Sequence, residues 1–394
     1  MAFQNDKFYP IYLMESQPEN TRRQARAAPP KISVIVLAYN VGPYIQRCLD
    51  SLRRQTFQDF EIIVVDDGSE DETPTIIDAN TKLDTRIISA QHPTNQGTFR
   101  ARITGADRAL GEYFCMVDGD DVVEADYLNA LYSLASQMGS DVSECGMMAV
   151  TKSGRVKVVP RSELSPDRAE GVEILHMALR GIIWHTASNK LISRELYLKA
   201  RPLLMPIGAH ITVADDKLFM LPLLYFTKSF ARTDRILYWY RVRAESSTRL
   251  RNESSDLRHI HSTGTVDHLL AEFFRTLKSG ERTQELLKTS RRDEIQRCLR
   301  LLDRYSFDSP SRRPLEETLF DYYARDFVAD EIRVNSGFFQ RLVRAFSRYS
   351  LGVWLRLLWR YGRHSLWGLA PRHRHRLMNM IHPMPLASST DQLR

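Results

Sequence analysis

Three apolar runs, each entering a polar turn, set the strongest limit on the fold. They are Ile32-Ser33-Val34-Ile35-Val36-Leu37-Ala38, Glu61-Ile62-Ile63-Val64-Val65 and Tyr113-Phe114-Cys115-Met116-Val117. Such runs suit parallel strands that are covered on both faces. Between them lie helical patterns. Gly42 and Pro43 open one that places Tyr44, Ile45, Cys48, Leu49 and Leu52 on one side. Residues 74–83 predict a second helix, 86–89 a short strand, and 98–110 a third helix closed by Gly111 at a C′ position. A βαβαβαβ succession of this kind implies a parallel sheet with right-handed crossovers.

The turns matter because open α/β sheets bind ligands where loops leave the carboxyl ends of their strands. A dinucleotide-binding domain needs a glycine-rich turn after the first strand, so that a pyrophosphate can rest on a helix N-terminus. The turn here, Ala38-Tyr39-Asn40-Val41-Gly42-Pro43, has one glycine, so phosphates would have to be carried by a metal. The third strand leads into Asp118-Gly119-Asp120-Asp121. Two carboxylates one residue apart on an extended loop can share a hard divalent cation, which can bridge the oxygens of a diphosphate. The plain alternative is an Asx turn with a solvated tip. An EF-hand is excluded, because Val122 and Val123 stand where a ligand and a glycine are required.

Composition removes other classes. With 394 residues, 43% of them apolar, the chain has enough core for a large domain plus an appendage. Four widely spaced cysteines without a Cys-x-x-Cys pair predict buried free thiols in a reducing compartment. Neither a cleavable signal peptide nor a membrane span is expected; the best apolar run, 218–227, is about half the length a span requires and contains Pro222. The net charge of +7 is local, since residues 333–394 hold eleven Arg and one acid, a balance of +10, which leaves −3 for the first 332. That argues against a nucleic-acid-binding fold and for an anionic partner of the C-terminal tail.

Taken in order, Ser33-Val34-Ile35-Val36, Ala38-Tyr39-Asn40, Val65-Asp66-Asp67-Gly68-Ser69, Asn95-Gln96-Gly97 with Ala101-Arg102, and Asp118-Gly119-Asp120-Asp121 resemble the signature of the inverting family 2 glycosyltransferases. The likeness continues through Ser188-Asn189-Lys190-Leu191, Asp215-Asp216-Lys217-Leu218-Phe219 and Tyr240-Arg241-Val242-Arg243 with Ser246 and Thr248. It covers residues 31–250. Ala38 stands where Pro or Thr is common, and Asp215 where Glu usually precedes the catalytic Asp.

The resemblance implies a GT-A fold: a Rossmann-like, mostly parallel sheet with helices on both faces, here followed by a helical C-terminal appendage. It also implies transfer of a sugar, with inversion, from a nucleoside diphosphate such as UDP to a hydroxyl of a bacterial cell-surface glycan or lipid-linked glycan. By the same resemblance Asp118 and Asp120 hold Mn²⁺ or Mg²⁺, and Asp216 is the base. Nucleotide-sugar contacts fall to Ala38, Tyr39, Asn40, Asp67, Arg102, Asp118, Gly119, Arg243 and Ser246. Each has a bland alternative. Asp67 could accept a uracil imide N–H, or it could belong to a strand-to-helix turn in which Asp66 or Ser69 caps the helix. Tyr39 could stack on the base or fill the core. Arg102 could reach a sugar hydroxyl or the aspartate after the second strand, or lie on the surface. Asp121 orients the loop, and Asn95 and Gly97 shape the preceding turn. Asp216 could simply be a helix N-cap. Trp184 is a sugar platform or core. His185 and His210 are more often satisfied imidazoles than catalysts. Arg241, Arg243, Ser246 and Thr248 form a closing segment over the diphosphate or a solvated loop.

The expected organisation is a lead-in over 1–30, a catalytic domain over 31–250, a helical appendage over 251–332 and a basic amphipathic tail over 333–394. The tail alternates apolar positions such as Phe346, Trp354 and Leu358 with Arg344, Arg356 and Arg360 at helical spacing. That pattern would lie on an anionic membrane and place the protein on the cytoplasmic face of the cell membrane. Two further readings remain at this level. One keeps the fold and changes the acceptor to a polyprenyl phosphate or a protein side chain. The other is a non-catalytic sugar-nucleotide-binding scaffold, which would have no reason to keep carboxylates at 67, 118, 120 and 216.

Overall fold

A computed structural model describes residues 28–243, except six positions between 152 and 163, and residues 252–322, except seven positions. The chain divides into two compact units, Met1–Arg312 and Arg313–Arg394. Of the second unit, the described part is the helical stretch 314–319 with residue 322. Ser246, Thr248, the lead-in before residue 28 and the basic tail over 333–394 lie outside the described residues. No described helix is long and apolar enough to cross a membrane.

The strands of the first unit are β1 (Ile32–Ala38), β2 (Phe60–Asp66), β3 (Ile87–Gln91), β4 (Tyr113–Asp118), β5 (Val122–Val123), β6 (Val142–Val150), β7 (Val156–Val158), β8 (Arg168–Glu170), β9 (Lys190–Ser193) and β10 (Ser229–Arg241). The helices are α1 (Gly42–Arg53), α2 (Thr73–Leu83), α3 (Thr98–Arg108), α4 (Tyr127–Met138), α5 (Val172–Leu179), α6 (Arg194–Leu204), α7 (Asp215–Phe226), α8 (Glu253–Thr276) and α9 (Glu281–Leu302). All strands join one sheet, ordered β3-β2-β1-β4-β9-β6-β10-β5, with β7 on β6 and β8 on β10. The parallel character is concentrated in β3-β2-β1-β4. Beyond β4 the sheet is mixed: β9 runs antiparallel to both neighbours, while β6 and β10 run parallel to each other.

Every residue of β1 and β2 is buried, as both-face apolarity requires. The register aligns Ala38 with Asp66, and Leu37 with Asp118. Three loops therefore leave the sheet side by side, and the fold brings the polar turns of the sequence to one edge.

One expectation needs revision. Gly111 does not sit at a left-handed C′ position; α3 ends at Ala109 in an extended conformation, and Gly111 is absent from the positive-φ glycines. Gly111 is needed for close approach instead. A Cβ there would lie 2.6 Å from the Ser33 backbone N, and the Gly111 N–H donates to Ser33 Oγ at 2.9 Å. The helices after residue 251 follow the catalytic region as a helical segment, as expected, and pack onto it. Val266, Leu270, Phe273 and Phe274 of α8 share one apolar cluster with Leu218, Phe219 and Leu223 of α7. Truncating one such buried side chain to Ala costs about 2–5 kcal/mol, so α8 holds α7 in place. Lys217 reinforces the contact by donating to Asp267 Oδ1 at 2.7 Å, with both groups buried.

Candidate active site

The first loop cluster is built by backbone donors. Asp67 follows β2 and is buried. Its Oδ1 accepts from the Gln96 N–H at 2.9 Å and contacts His92 Nδ1 at 2.6 Å, and its Oδ2 accepts from the Gly97 N–H at 2.9 Å. The carboxylate thus organises the 92–97 loop, and both oxygens already have partners. Asp66 accepts from the Ser69 N–H and from Gln91 Nε2. Asn40, at φ +48°, ties the first loop to the second: its N–H donates to Ser69 Oγ, and its Oδ1 accepts from the Glu70 N–H. Ala38 is buried beneath this junction, whereas Tyr39 is 45% exposed. Tyr39 is therefore not core, because the tight turn at Asn40 leaves its ring at the surface.

The second cluster is built around one guanidinium. Arg102, on α3, is 3% exposed. Its Nε donates to Asp215 Oδ2 at 2.8 Å, and its Nη2 lies 2.8 Å from Asp216 Oδ1 and 4.0 Å from Asp118 Oδ1. It therefore turns toward the start of α7, where two consecutive acids meet it, and not toward Asp67 or open solvent. Ala214 adopts φ +59° and begins α7 so that Asp215 points inward; Asp216 Oδ1 also accepts from the Ala187 N–H at 3.1 Å. Asp118 and Asp216 remain about one-third exposed, at 31% and 30% for their side chains, so each keeps a solvent-accessible face while anchored from behind.

The acidic loop after β4 is fixed from β10. The Tyr238 hydroxyl accepts from the Asp118 N–H at 3.1 Å and donates to Asp121 Oδ2 at 2.7 Å. Asp121 Oδ1 accepts from the Arg241 N–H at 2.7 Å, so Asp121 braces the loop from inside and is not available to a ligand. Gly119 donates its N–H to Leu37 O at 2.8 Å. Asp120 pairs with Arg243 Nε at 2.6 Å, and both Arg241 and Arg243 lie over the Tyr44 ring at 5.3 Å. Ser188 Oγ donates to Asp118 Oδ2 at 3.2 Å.

Burial pushes the carboxyl groups of Asp118, Asp120, Asp215 and Asp216 above their ordinary range, against the downward pull of Arg102 or Arg243. Asp121 is pushed up furthest of these, by burial and then by Asp118 and Asp120. Three crowded carboxylates with an all-oxygen donor set and accessible Asp118 suit a hard divalent cation, whose charge would relieve that repulsion. Asp118 and Asp120 therefore fit Mn²⁺ or Mg²⁺.

Residues 33–199 match the profile of Glycosyl transferase family 2. The domain belongs to that family. The chain is 34% identical over 226 residues to the uncharacterized glycosyltransferase EpsJ of Bacillus subtilis, covering 56% of this chain and 64% of that one. It is 30% identical to putative glycosyltransferase EpsH of the same organism, covering 55% and 62% respectively. A third relative, poly(ribitol-phosphate) beta-N-acetylglucosaminyltransferase TarS of Staphylococcus aureus, is 30% identical over 295 residues, 68% of this chain and 48% of that one. The chain thus spans less than two thirds of the length of the curated relatives it matches.

Several members of this site carry no chemical signal in the sequence. Tyr238 lies in Leu237-Tyr238-Trp239 and reads as an ordinary strand aromatic, yet its hydroxyl holds the acidic loop. Ser188-Asn189-Lys190 was legible as a motif but not as chemistry. In the fold, buried Lys190 pairs with buried Glu144 at 2.7 Å and fixes β9 against β6. His185, in the loop that reaches Asp216 through Ala187, has its pKa pushed down to about 3 by burial and then by Lys217 and Lys190; it is a neutral imidazole at neutral pH. His210 contacts Asn95 Oδ1 at 2.8 Å, and Trp184 is partly exposed.

Proposed function

We propose that the protein is an inverting glycosyltransferase that moves a sugar from a nucleoside diphosphate, uridine in the first instance, to a hydroxyl of a cell-surface glycan. The observation that carries this reading is the Arg102 bridge, which brings Asp216 and Asp118 to one centre. Asp216 takes the proton of the acceptor hydroxyl through Oδ2, the oxygen not used by Arg102 and Ala187. The acceptor oxygen then attacks the anomeric carbon as its bond to the nucleoside diphosphate breaks on the opposite face, inverting the configuration. Asp118 and Asp120 would hold the divalent ion, which offsets the charge of the departing diphosphate. Tyr39 supplies an exposed ring for the base at the edge of the same loop cluster. Arg243, paired with Asp120, would add positive charge beside the departing diphosphate.

The glycan acceptor is supported by the relatives whose names specify poly(ribitol-phosphate) glycosylation, TarS of Staphylococcus aureus and a beta-glucosyltransferase of Bacillus spizizenii. The test is to incubate the purified full chain with a panel of UDP-sugars and Mn²⁺ and to measure nucleotide release. We expect release with at least one donor, abolished by EDTA and by Asp118→Asn. No release with any UDP-sugar, or release unaffected by EDTA, overturns the donor or the metal respectively.

A further inference from the structure

The helices α8 and α9 bring together three side chains of a kind unlike those in the acidic cleft. His259 comes from α8; Glu294 and Cys298 come from α9, four residues and so one turn apart on a single face. The imidazole, carboxylate and thiol ligand atoms all lie within 4.8 Å of one another. Glu294 and Cys298 are buried, while His259 is partly exposed and gives a route from solvent. We propose that His259, Glu294 and Cys298 form a zinc site that clamps α8 to α9.

The donor set selects the metal. Nitrogen, sulfur and one carboxylate oxygen suit a borderline-soft ion such as Zn²⁺ and suit Mn²⁺ or Mg²⁺ poorly. Bonds of about 2.0–2.3 Å to Zn²⁺ place tetrahedral ligand atoms roughly 3.3–3.8 Å apart, and His259 Nε2 already lies 3.7 Å from Glu294 Oε1 with all three ligand atoms within 4.8 Å. On binding, the Cys298 sulfur exchanges its proton for the metal, and the proton passes to solvent. The fourth position is left to water.

The competing account is a self-satisfied polar cluster, and its contacts are loose. His259 Nε2 is 3.7 Å from Glu294 Oε1, beyond a hydrogen bond. Cys298 Sγ is 3.6 Å from Thr263 Oγ1, a weak sulfur contact. The short partner of Glu294 is Arg297, at 2.6 Å on Oε2, and that arginine is 54% exposed. That pair engages Oε2 and leaves Oε1 facing the imidazole. Zinc would convert two loose contacts into bonds. It would also stiffen the helix pair whose Asp267 anchors α7, the element that carries Asp216.

Cobalt(II) is the probe, because a cobalt–thiolate bond gives a near-ultraviolet charge-transfer band that oxygen or histidine ligation does not. Full-length protein stripped with EDTA should bind one equivalent of Co²⁺ with this band, and one equivalent of Zn²⁺ should bleach it. Cys298→Ser should remove the band. His259→Gln, at a partly exposed position that tolerates change, should weaken Co²⁺ by more than the roughly 10–100-fold typical of losing an outer-shell partner. Asp118→Asn, in the acidic cleft, should leave the band intact. Absence of a thiolate band at stoichiometric Co²⁺, or a band that survives both Cys298→Ser and His259→Gln, overturns the site. Binding of Co²⁺ without the band, as through the histidines of residues 364–382, overturns it equally.

Discussion

Two of the pairs of consecutive aspartates in the chain, Asp66-Asp67 and Asp215-Asp216, are neutralised in different ways. Asp66 and Asp67 accept mainly from backbone and neutral side-chain donors in the loops that follow. Asp215 and Asp216 instead share one buried guanidinium, Arg102. Fixed N–H dipoles set the shape of a loop and tolerate little movement. A guanidinium leaves the second acid with an unused oxygen and a proton affinity that depends on its neighbours. The first pair is suited to shaping a surface on which a ligand rests, the second to moving a proton.

The most direct way to break this comparison is Asp216→Asn, which keeps shape and removes the proton acceptor. Transfer should fall by roughly 10²–10⁴ with donor affinity unchanged by calorimetry. Near-normal transfer would reject Asp216 as the base and favour a phosphate acceptor, which needs no such base.

Next in size is Arg102→Met. Removing one partner from a buried ionic cluster costs about 3–5 kcal/mol, measured as lost stability in urea. The same change sharpens the electrostatic claim. Burial already pushes the Asp216 carboxyl up, and Arg102 pulls it down. Without the guanidinium, Asp216 should gain its proton at a higher pH. The acid limb of the rate profile should then move upward, whereas a purely structural loss would lower the rate at all pH values alike.

Gly97→Ala probes the backbone-held region. Gly97 has φ +93°, and a Cβ would lie 2.9 Å from the Ile211 carbonyl oxygen. The strain should cost about 1–3 kcal/mol and displace the N–H that holds Asp67. A lower Tm together with weaker UDP binding is expected; a lower Tm alone would show that the 92–97 loop does not shape the nucleotide surface.

The smallest effect belongs to Tyr39→Ala. Loss of an exposed stacking ring should weaken UDP binding about tenfold, near the low end of roughly 1–3 kcal/mol per stacked base. Stability should not change. An unchanged Kd would return Tyr39 to an ordinary surface residue.

The sequence by itself determined the parallel half of the sheet, from the apolar runs of β1, β2 and β4, and the acidic turn after β4. These features are local: a buried strand must be apolar on both faces, and a turn must hold residues that tolerate it. It also indicated Asp118, Asp120 and Asp216, through motifs in order. Only the tertiary structure decided what those groups touch. Arg102 meets Asp215 across a separation of 113 residues, and Tyr238 reaches the Asp118 N–H across 120. Hydrogen bonds and ion pairs between such distant residues have no period in the sequence, because their partners are set by how α3, α7 and β10 pack against one sheet.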